Sequence, residues 1–147
     1  MTSFNAFYSH HVGGRAGSVA YNNKINAWLD ITTNCNAACP QCHRTDPKTL
    51  KKVSWLPLIS WSLQEFKKAF PPKTLAHINR LNFCGSLGDP IMCKDIFEIC
   101  EYIIKESECY IIINTNGSMR KPEWWASIAK YMNTEWSWIV FSIDGME

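Results

Sequence analysis

Short apolar runs alternate along the chain with longer segments in which apolar residues recur at helical spacing. Helical periodicity marks three segments. The first follows Ser62, the second begins at Asp95 and the third follows Pro122. Ser62 with Glu65 three residues later is a capping-box pattern, and proline suits the first turn of a helix. The apolar runs around these helices predict four β-strands, at residues 27–32, 78–84, 110–113 and 136–143.

The order of these elements is βαβαβαβ. Strands that alternate with helices predict an α/β fold with one parallel sheet and right-handed crossovers. The apolar character of the runs predicts that both faces of the sheet are covered. Ligands bind at the carboxyl ends of the strands in such folds, so a motif that directly follows a strand is a candidate for the functional site.

The chain has 147 residues, a length typical of one domain or of part of one. Residues 1–24 are rich in Ser, Asn, Gly and Tyr and show no sustained periodicity, so they are predicted to form an N-terminal arm. The adjacent His10 and His11 in this arm are expected to be solvated. Residues 25–147 form the predicted core, in which Pro71 and Pro72 are expected to end the first helix.

Composition and charge exclude several classes of protein. Hydrophobic residues make up 46% of the chain, which excludes wholesale disorder. The net charge of +2 argues against a nucleic-acid partner or a membrane surface bound by charge. No apolar run approaches the ~18 residues of a membrane span. No basic start followed by an apolar stretch marks a signal peptide, so a cytoplasmic location is expected.

Seven cysteines are unusual in a chain of this length, and an odd number cannot all pair. Three of them, Cys35, Cys39 and Cys42, form a C-x3-C-x2-C motif directly after the first predicted strand. Thiolates are soft ligands that suit iron–sulfur clusters and zinc. Three thiolates on one loop can hold three irons of a four-iron cluster, which leaves the fourth iron open to a bound molecule.

This motif after a first strand resembles the signature of the radical S-adenosylmethionine (SAM) superfamily. The resemblance runs from residue 27 to residue 147 and implies four of the six strands of a partial (β/α)6 barrel, truncated after the fourth strand. It also implies a [4Fe–4S] cluster held by the three cysteines, with SAM chelating the open iron. An electron from a reductant such as flavodoxin or ferredoxin then cleaves SAM to a 5′-deoxyadenosyl radical, which abstracts hydrogen from a substrate.

Motifs after the later strands extend the resemblance. Gly88-Asp89-Pro90 resembles the family's Gly-Gly-Glu-Pro loop, with Asp in place of Glu and Leu87 in place of the first Gly. Thr115-Asn116-Gly117 resembles its Thr-Asn-Gly turn, and residues 141–145 resemble its Ser-Leu-Asp segment. Gln41 stands where the family usually has an aromatic residue. The resemblance implies a SAM pocket lined by Gln41, Gly88, Asp89, Pro90, Thr115, Asn116 and Ser142, with Asp144 shaping the last turn.

Two alternatives use the same cysteines. Together with His43, the motif is also a potential Cys3His zinc site, which would indicate a zinc-stabilised binding module. Cys39 and Cys42 also form the C-x-x-C of a thiol–disulfide oxidoreductase. Neither alternative explains Cys35 together with the loops after the second, third and fourth strands. A radical SAM enzyme is therefore the favoured interpretation.

The other four cysteines lie outside the motif. Cys100 falls on the apolar face of its helix and is predicted to lie in the core. Cys109 precedes the third strand, at the end of the sheet away from the site. Cys84 ends the second strand on the side of the site, and burial is favoured over a contact with SAM or the substrate. Cys93 lies just past Pro90 and has no predicted role.

The fourth predicted strand is apolar and is expected to form an edge of the sheet, where exposed strands tend to pair with other chains. The chain is therefore expected to be the N-terminal portion of a longer enzyme, or to self-associate through this strand. The style of the motifs resembles the subgroup with a C-terminal SPASM-type domain, many of whose members modify peptides. A peptide is thus one substrate class that the resemblance suggests, and the reaction is not assigned.

Overall fold

The computed structural model describes residues 24–132 and 135–143 of the chain. The predicted N-terminal arm with His10 and His11 lies outside the described residues, apart from residue 24, and so do Asp144 and Gly145. No helix in the described part of the chain is both long enough and apolar enough to cross a membrane.

Strands β1 (Ile25–Leu29), β2 (Ile78–Phe83), β3 (Tyr110–Thr115) and β4 (Trp138–Phe141) form one sheet among the described residues. The order across the sheet is β1-β2-β3-β4, and each neighbouring pair is parallel. The predicted α/β fold with a parallel sheet is therefore confirmed, and it is consistent with four strands of the partial barrel that the resemblance implies.

All four strands have bounds that differ from those that the apolar runs predict: β2 ends one residue earlier, at Phe83, and β4 is shorter at both ends. β1 begins earlier than predicted because Ile25 pairs with Ile78, and Thr32 instead forms an isolated bridge with Ser60. β3 continues to Thr115, which pairs with Phe141 of β4. Backbone pairing between neighbouring strands sets these ends. It includes polar residues, which a search for apolar runs does not assign to a strand.

Four α-helices connect or follow the strands in the described residues: α1 (Leu63–Ala69), α2 (Pro72–Leu75), α3 (Ile96–Glu106) and α4 (Pro122–Ile128). The predicted capping box is present, because the Ser62 backbone N–H donates to the Glu65 carboxylate at 2.8 Å and the Glu65 N–H donates back to Ser62 Oγ. The double proline ends α1 as predicted, but Pro72 also starts α2, since its fixed φ suits the first helical position.

The hydrophobic core lies between the helices and one side of the sheet. Alternate strand residues face the helices, and every second residue therefore faces away from them. Right-handed crossovers between consecutive neighbouring strands carry each helix to the same side. The strands contribute Leu81, Phe83, Ile111 and Ile113 to this core, and the helices contribute Phe66, Ile99, Cys100, Ile103 and Ile128.

The other side of the sheet, called the open face below, contributes nothing to that core in the described residues. Trp28 is 61% exposed and Trp138 is 39% exposed. The expectation that both faces are covered is therefore wrong for the described residues, because all their helices lie on one side. The register groups the residues of the open face as Asn26, Trp28, Arg80, Asn82, Tyr110, Ile112, Asn114, Trp138 and Val140.

Strand β4 is an edge of the sheet in the described residues, as predicted. Its neighbour on one side is β3, and Val140, Phe141 and the following Ile143 are exposed. The Phe141 ring packs against Trp125 of α4 at a centroid distance of 5.0 Å, so only part of the strand is covered. Pairing of this edge with another chain stays a prediction.

Adjacent isoleucines of α3 test the position of the core. Ile103 is fully buried and Ile104 is 36% exposed, so the same substitution to alanine compares a buried with an exposed position of one helix. Ile103→Ala is expected to lower the free energy of unfolding by about 2–5 kcal/mol, because it leaves a cavity. Ile104→Ala is expected to change it by about 0.5 kcal/mol or less. Urea unfolding of both variants measures the difference, and equal losses would contradict the assigned faces.

Candidate active site

Loops after all four strands meet at the carboxyl edge of the sheet and line one cavity of about 140 Å³. This cavity is called the thiol cavity below, since Cys35, Cys39 and Cys42 all line it. The loop after β2, the end of β3 and the residue after β4 complete its wall. The predicted site residues that line it, besides the cysteines, are Gly88, Asp89, Thr115, Asn116 and Ser142.

Two predicted residues do not line the thiol cavity. The Gln41 side chain is exposed in the turn between the second and third cysteines. Pro90 is buried at the start of a short 3-10 helix, Pro90–Met92, where it supports the loop from behind. Four residues that the motifs do not mark line the cavity as well, namely Ala37, Arg44, Gly85 and Asn114.

The three motif cysteines are free thiols in a loop without helix or strand. Cys39 is exposed, and Cys35 and Cys42 are half-buried. The Cys42 N–H donates to the Cys39 carbonyl at 3.0 Å, which closes a tight turn. The Ala37 N–H donates to Cys35 Sγ at 3.4 Å, so one thiol already accepts a backbone hydrogen bond.

Arg44 holds the cysteine loop from within. Its side chain is buried, and its guanidinium donates to the carbonyls of Cys35 at 3.1 Å, of Ala37 at 3.4 Å and of Thr33 at 3.4 Å. Its Nε is buried without a hydrogen-bond partner. A buried cation in the wall favours negative charge in the cavity. No sequence motif marks Arg44, because burial of one arginine beside a cysteine motif depends on how the loop folds.

Asp89 joins two of the loops. The side chain is 3% exposed, and its Oδ2 accepts hydrogen bonds at 2.9 Å from both the Thr115 hydroxyl and the Asn116 N–H. Its Oδ1 accepts from the Ile91 N–H at 3.1 Å, which caps the short 3-10 helix. The loop after β2 and the turn after β3 therefore form one unit, built around a single carboxylate.

Gly88 lets the loop after β2 approach the start of the cysteine loop. A Cβ at this position would overlap the Thr32 carbonyl and lie 2.9 Å from the Asn34 carbonyl oxygen. The neighbouring Asp89 N–H donates to that same Asn34 oxygen at 2.7 Å. A side chain at residue 88 would therefore push apart the two loops that the cavity needs together.

Asn116 links the turn after β3 to the cysteine loop. Its Nδ2 donates to Asn36 Oδ1 at 3.0 Å and lies 3.7 Å from Cys35 Sγ, within hydrogen-bonding reach of sulfur. Asn36 in turn donates to Ser118 Oγ at 2.8 Å. The Asn116 amide is thus a side chain of the predicted pocket that reaches a motif cysteine.

The remaining cysteines do not line the thiol cavity. Cys100 is fully buried in the core, as predicted, and burial raises the pKa of its thiol strongly. Burial also raises the pKa of Cys109 to about 11. Cys93 is buried and donates to the Trp61 carbonyl at 3.4 Å. Cys84 is half-buried rather than buried; partial burial first, and the nearby Asp30 second, raise the pKa of its thiol.

The arrangement bears on both alternatives. His43 is exposed and does not line the thiol cavity, so a Cys3His ligand set is not assembled there. No group of three or more His, Cys, Asp or Glu side chains in residues 24–132 and 135–143 is arranged to hold a metal ion, and this includes the three motif cysteines as they stand. No helix follows Cys42 before α1, which begins at Leu63, so the C-x-x-C lacks the helix N-terminus that activates such thiols.

A shallower depression of about 710 Å³ lies on the outer side of the helices. Arg120 stacks over the Trp124 ring there at 5.0 Å and donates to the Ile91 carbonyl. These contacts hold the start of α4 against the 3-10 helix after Asp89. No thiol lines this surface, so the thiol cavity is the better candidate for chemistry.

Comparisons with known proteins bear on the fold. No protein-family model matches the chain, and no curated protein matches it. A solved structure of BtrN in complex with AdoMet and 2-DOIA matches with a TM-score of 0.58 at 19% sequence identity. The match covers 86% of this chain and 49% of BtrN, so the chain spans about half the length of BtrN. At this identity the likeness shows the fold that the two chains share.

Asp89→Asn tests the junction of the two loops. An amide nitrogen would replace one acceptor oxygen, so at least one of the three donors would lose its partner in a buried place. The free energy of unfolding is expected to fall by about 1–3 kcal/mol, measured by urea unfolding.

Asp46→Asn is the matched control. The Asp46 carboxylate also accepts backbone N–H bonds, from Thr49 and Lys48, and these lower its pKa, but it lies in an exposed loop. Its replacement is expected to cost about 0.5 kcal/mol or less. Losses of the same size in both variants would mean that burial of Asp89 does not matter.

Proposed function

We propose that this chain carries radical SAM chemistry, with a [4Fe–4S] cluster bound by Cys35, Cys39 and Cys42 and SAM bound beside it in the thiol cavity. One observation carries the proposal: the three thiols and the loops after four successive strands line the same cavity. The fold shared with BtrN, which was solved with AdoMet bound, supports it. The donor set fits, because Cys35, Cys39 and Cys42 are free thiols, as the ligand set that the resemblance implies requires.

A cluster held by Cys35, Cys39 and Cys42 would supply one-electron chemistry for the reductive cleavage of SAM when both are bound. Arg44 fixes the carbonyls at the start of the cysteine loop, and its charge offsets the negative charge of the thiolates. Gly88 lets the loop after β2 pack directly against the Thr32 and Asn34 carbonyls, which holds that loop beside the cysteine loop. Ser142 donates its N–H to the Thr115 carbonyl at 2.8 Å, which holds the residue after β4 at the cavity wall.

Asp89 and Thr115 act as positioning residues in this proposal. The Asp89 carboxylate already accepts hydrogen bonds from three donors, one of them the Thr115 hydroxyl, so its side chain orients the loop. The SAM contacts that the resemblance implies for this loop are assigned to its backbone. Asn116 keeps a polar side chain toward Cys35. The SAM contacts of Gln41 and Pro90 stay predictions, since neither residue lines the thiol cavity.

The electron donor and the substrate are proposed from the resemblance alone. A small electron-transfer protein such as flavodoxin or ferredoxin would reduce the cluster at the exposed side of the cysteine loop. The substrate is proposed to be a peptide or another molecule that reaches the thiol cavity. Membership of the SPASM-type subgroup and self-association through β4 are further proposals that need their own tests.

Replacement of Cys35 tests the cluster. Anaerobic reconstitution of the unmodified chain with iron and sulfide is expected to give a reduced four-iron electron paramagnetic resonance signal that changes when SAM is added. Cys35→Ala is expected to abolish this signal, because the third iron ligand is lost. Cys84→Ala is the control, since Cys84 lies outside the thiol cavity, and it should assemble the cluster normally. An unchanged signal in Cys35→Ala would contradict the proposed ligand set.

The same variant separates the alternatives. If Cys39 and Cys42 act as a dithiol, then Cys35→Ala keeps its disulfide-exchange activity and the unmodified chain binds no cluster. Zinc bound at one equivalent per chain, with no iron, would instead support a zinc-stabilised module. Circular dichroism shows whether each protein is folded, so absence of a cluster in a folded chain would overturn the radical SAM proposal.

Asn116 is expected to tune the cluster. A hydrogen bond to a thiolate ligand stabilises the more negative, reduced state and raises the reduction potential. Asn116→Ala should therefore lower the potential by about 40 mV, if the bond is worth about 1 kcal/mol and about 60 mV corresponds to about 1.4 kcal/mol for one electron. Redox titration followed by electron paramagnetic resonance measures the shift.

Asn36→Ala is the control for this measurement. It removes the contact between Asn36 and Asn116 but leaves the Asn116 amide beside Cys35 Sγ. Its potential is expected to stay close to that of the unmodified chain. A shift of equal size in both variants would mean that loop position, and not the N–H···S contact, sets the potential.

A further inference from the structure

The open face of the sheet continues directly from the thiol cavity. Asn114 lines the cavity, and its Nδ2 donates to Asn82 Oδ1 on the neighbouring strand β2. Arg80 lies two residues before Asn82 on the same side of the sheet, ~6.6 Å further from the cavity by strand rise. A path of polar side chains therefore leads from the thiols down the open face to one cation.

Arg80 lacks an anionic partner. Its Nε is buried with no hydrogen-bond partner, and no carboxylate forms an ion pair with it in the part of the chain that the structure describes. Its neighbours in register are the uncharged Asn26 and Tyr110. A half-buried guanidinium whose Nε–H has no acceptor is costly unless an anion completes its hydrogen bonding. The place is therefore suited to a ligand that brings a negative charge.

Aromatic side chains stand beside this cation. The guanidinium carbon lies 5.5 Å from the centre of the Trp138 ring, and stacking on this ring holds the planar group in place. Trp28 and Trp138 share one register row across the sheet with Asn82 and the buried Ile112 between them. Both tryptophans are exposed, so the open face offers apolar walls on either side of the path.

Other charges near the path do not satisfy Arg80. Asp30 follows β1 on the same side as Trp28, and its Oδ1 accepts the Ser86 N–H at 2.9 Å. Lys24 pairs with Glu108 at the opposite end of the strands, at 3.8 Å. Arg80 is thus the charged residue among the nine strand residues of the open face that the structure describes, and the others are amides, aromatic rings and aliphatic side chains.

We infer that Arg80, on the open face, binds an anionic group of the substrate, a carboxylate or a phosphate. This rests on the proposed function, because the thiol cavity is taken as the place of reaction. The anion sits at Arg80, the apolar body of the substrate lies between Trp28 and Trp138, and the reacting end points to Asn114 and the cavity. A guanidinium binds either oxyanion through two parallel hydrogen bonds, which sets both charge and orientation.

Small anions with an aromatic body test this site. The full chain is titrated, before and after anaerobic cluster assembly, with hydrocinnamate, with phenyl phosphate and with the neutral hydrocinnamide, while tryptophan fluorescence is recorded. At least one of the two anions is expected to bind, and the one that binds more tightly identifies the oxyanion. Arg80→Met should weaken that binding by about tenfold or more and leave any binding of hydrocinnamide unchanged.

Lys67→Met is the matched control. Lys67 is an exposed cation of α1 that lies 5.2 Å over the Tyr102 ring, so the substitution removes the same charge and a similar contact far from the open face. Its affinities should equal those of the unmodified chain. Arg80→Lys keeps the charge but loses the paired donors, and it is expected to show an intermediate affinity.

Three results would overturn the inference: binding of the anion by Arg80→Met as tightly as by the unmodified chain, equal loss in Lys67→Met, or equal binding of hydrocinnamide and hydrocinnamate. Thermal unfolding of each variant shows whether it is folded. If Arg80→Met does not fold, the affinity of Arg80→Lys for the anion is compared with that of the unmodified chain instead. The titration before cluster assembly does not depend on the cysteines. Failure of cluster assembly would therefore contradict the proposed function, whereas binding of the anion at Arg80 is judged from the titration alone.

Discussion

The candidate site depends on one buried carboxylate. Asp89 accepts three hydrogen bonds, and each comes from a different residue of the two loops that it joins. A carboxylate buried without donors is very costly, so neither loop can move away while the other keeps its place. Asp is one methylene shorter than the Glu of the motif that the loop resembles. The shorter side chain suits this role, because its Oδ1 stays close enough to accept the N–H of Ile91.

The direction of the crossovers determines what remains accessible. Consecutive parallel strands with right-handed connections bring all the described helices to one side of the sheet, and the core forms there. The carboxyl edge then collects the loops of the thiol cavity, and the other side of the sheet stays open. Cavity and open face are therefore two consequences of one topology, connected at Asn114, which belongs to β3 and lines the cavity as well.

Two arginines place positive charge beside the thiol cavity and on the open face. Arg44 lies behind the cysteine loop and Arg80 lies on the open face, and each has a buried Nε without a hydrogen-bond partner in the described part of the chain. Both favour negative charge, at the thiolates in one place and on a ligand in the other. The net charge of the chain, only +2, conceals this local arrangement. Local placement of charge, and not its sum, decides what such a surface attracts.

The sequence by itself determined the fold class and the main chemical groups of the site. The periodicities predicted the four strands and three of the helices, and the motifs after each strand named eight residues that line the cavity, Cys35 among them. These features are local, since spacing and turn chemistry belong to short segments. Tertiary structure alone decided that Asp89 bonds Thr115, that Arg44 is buried under the cysteine loop and that Gln41 points away. Those outcomes depend on contacts between residues distant in sequence, where burial and hydrogen bonding are set by the packing of one loop on another.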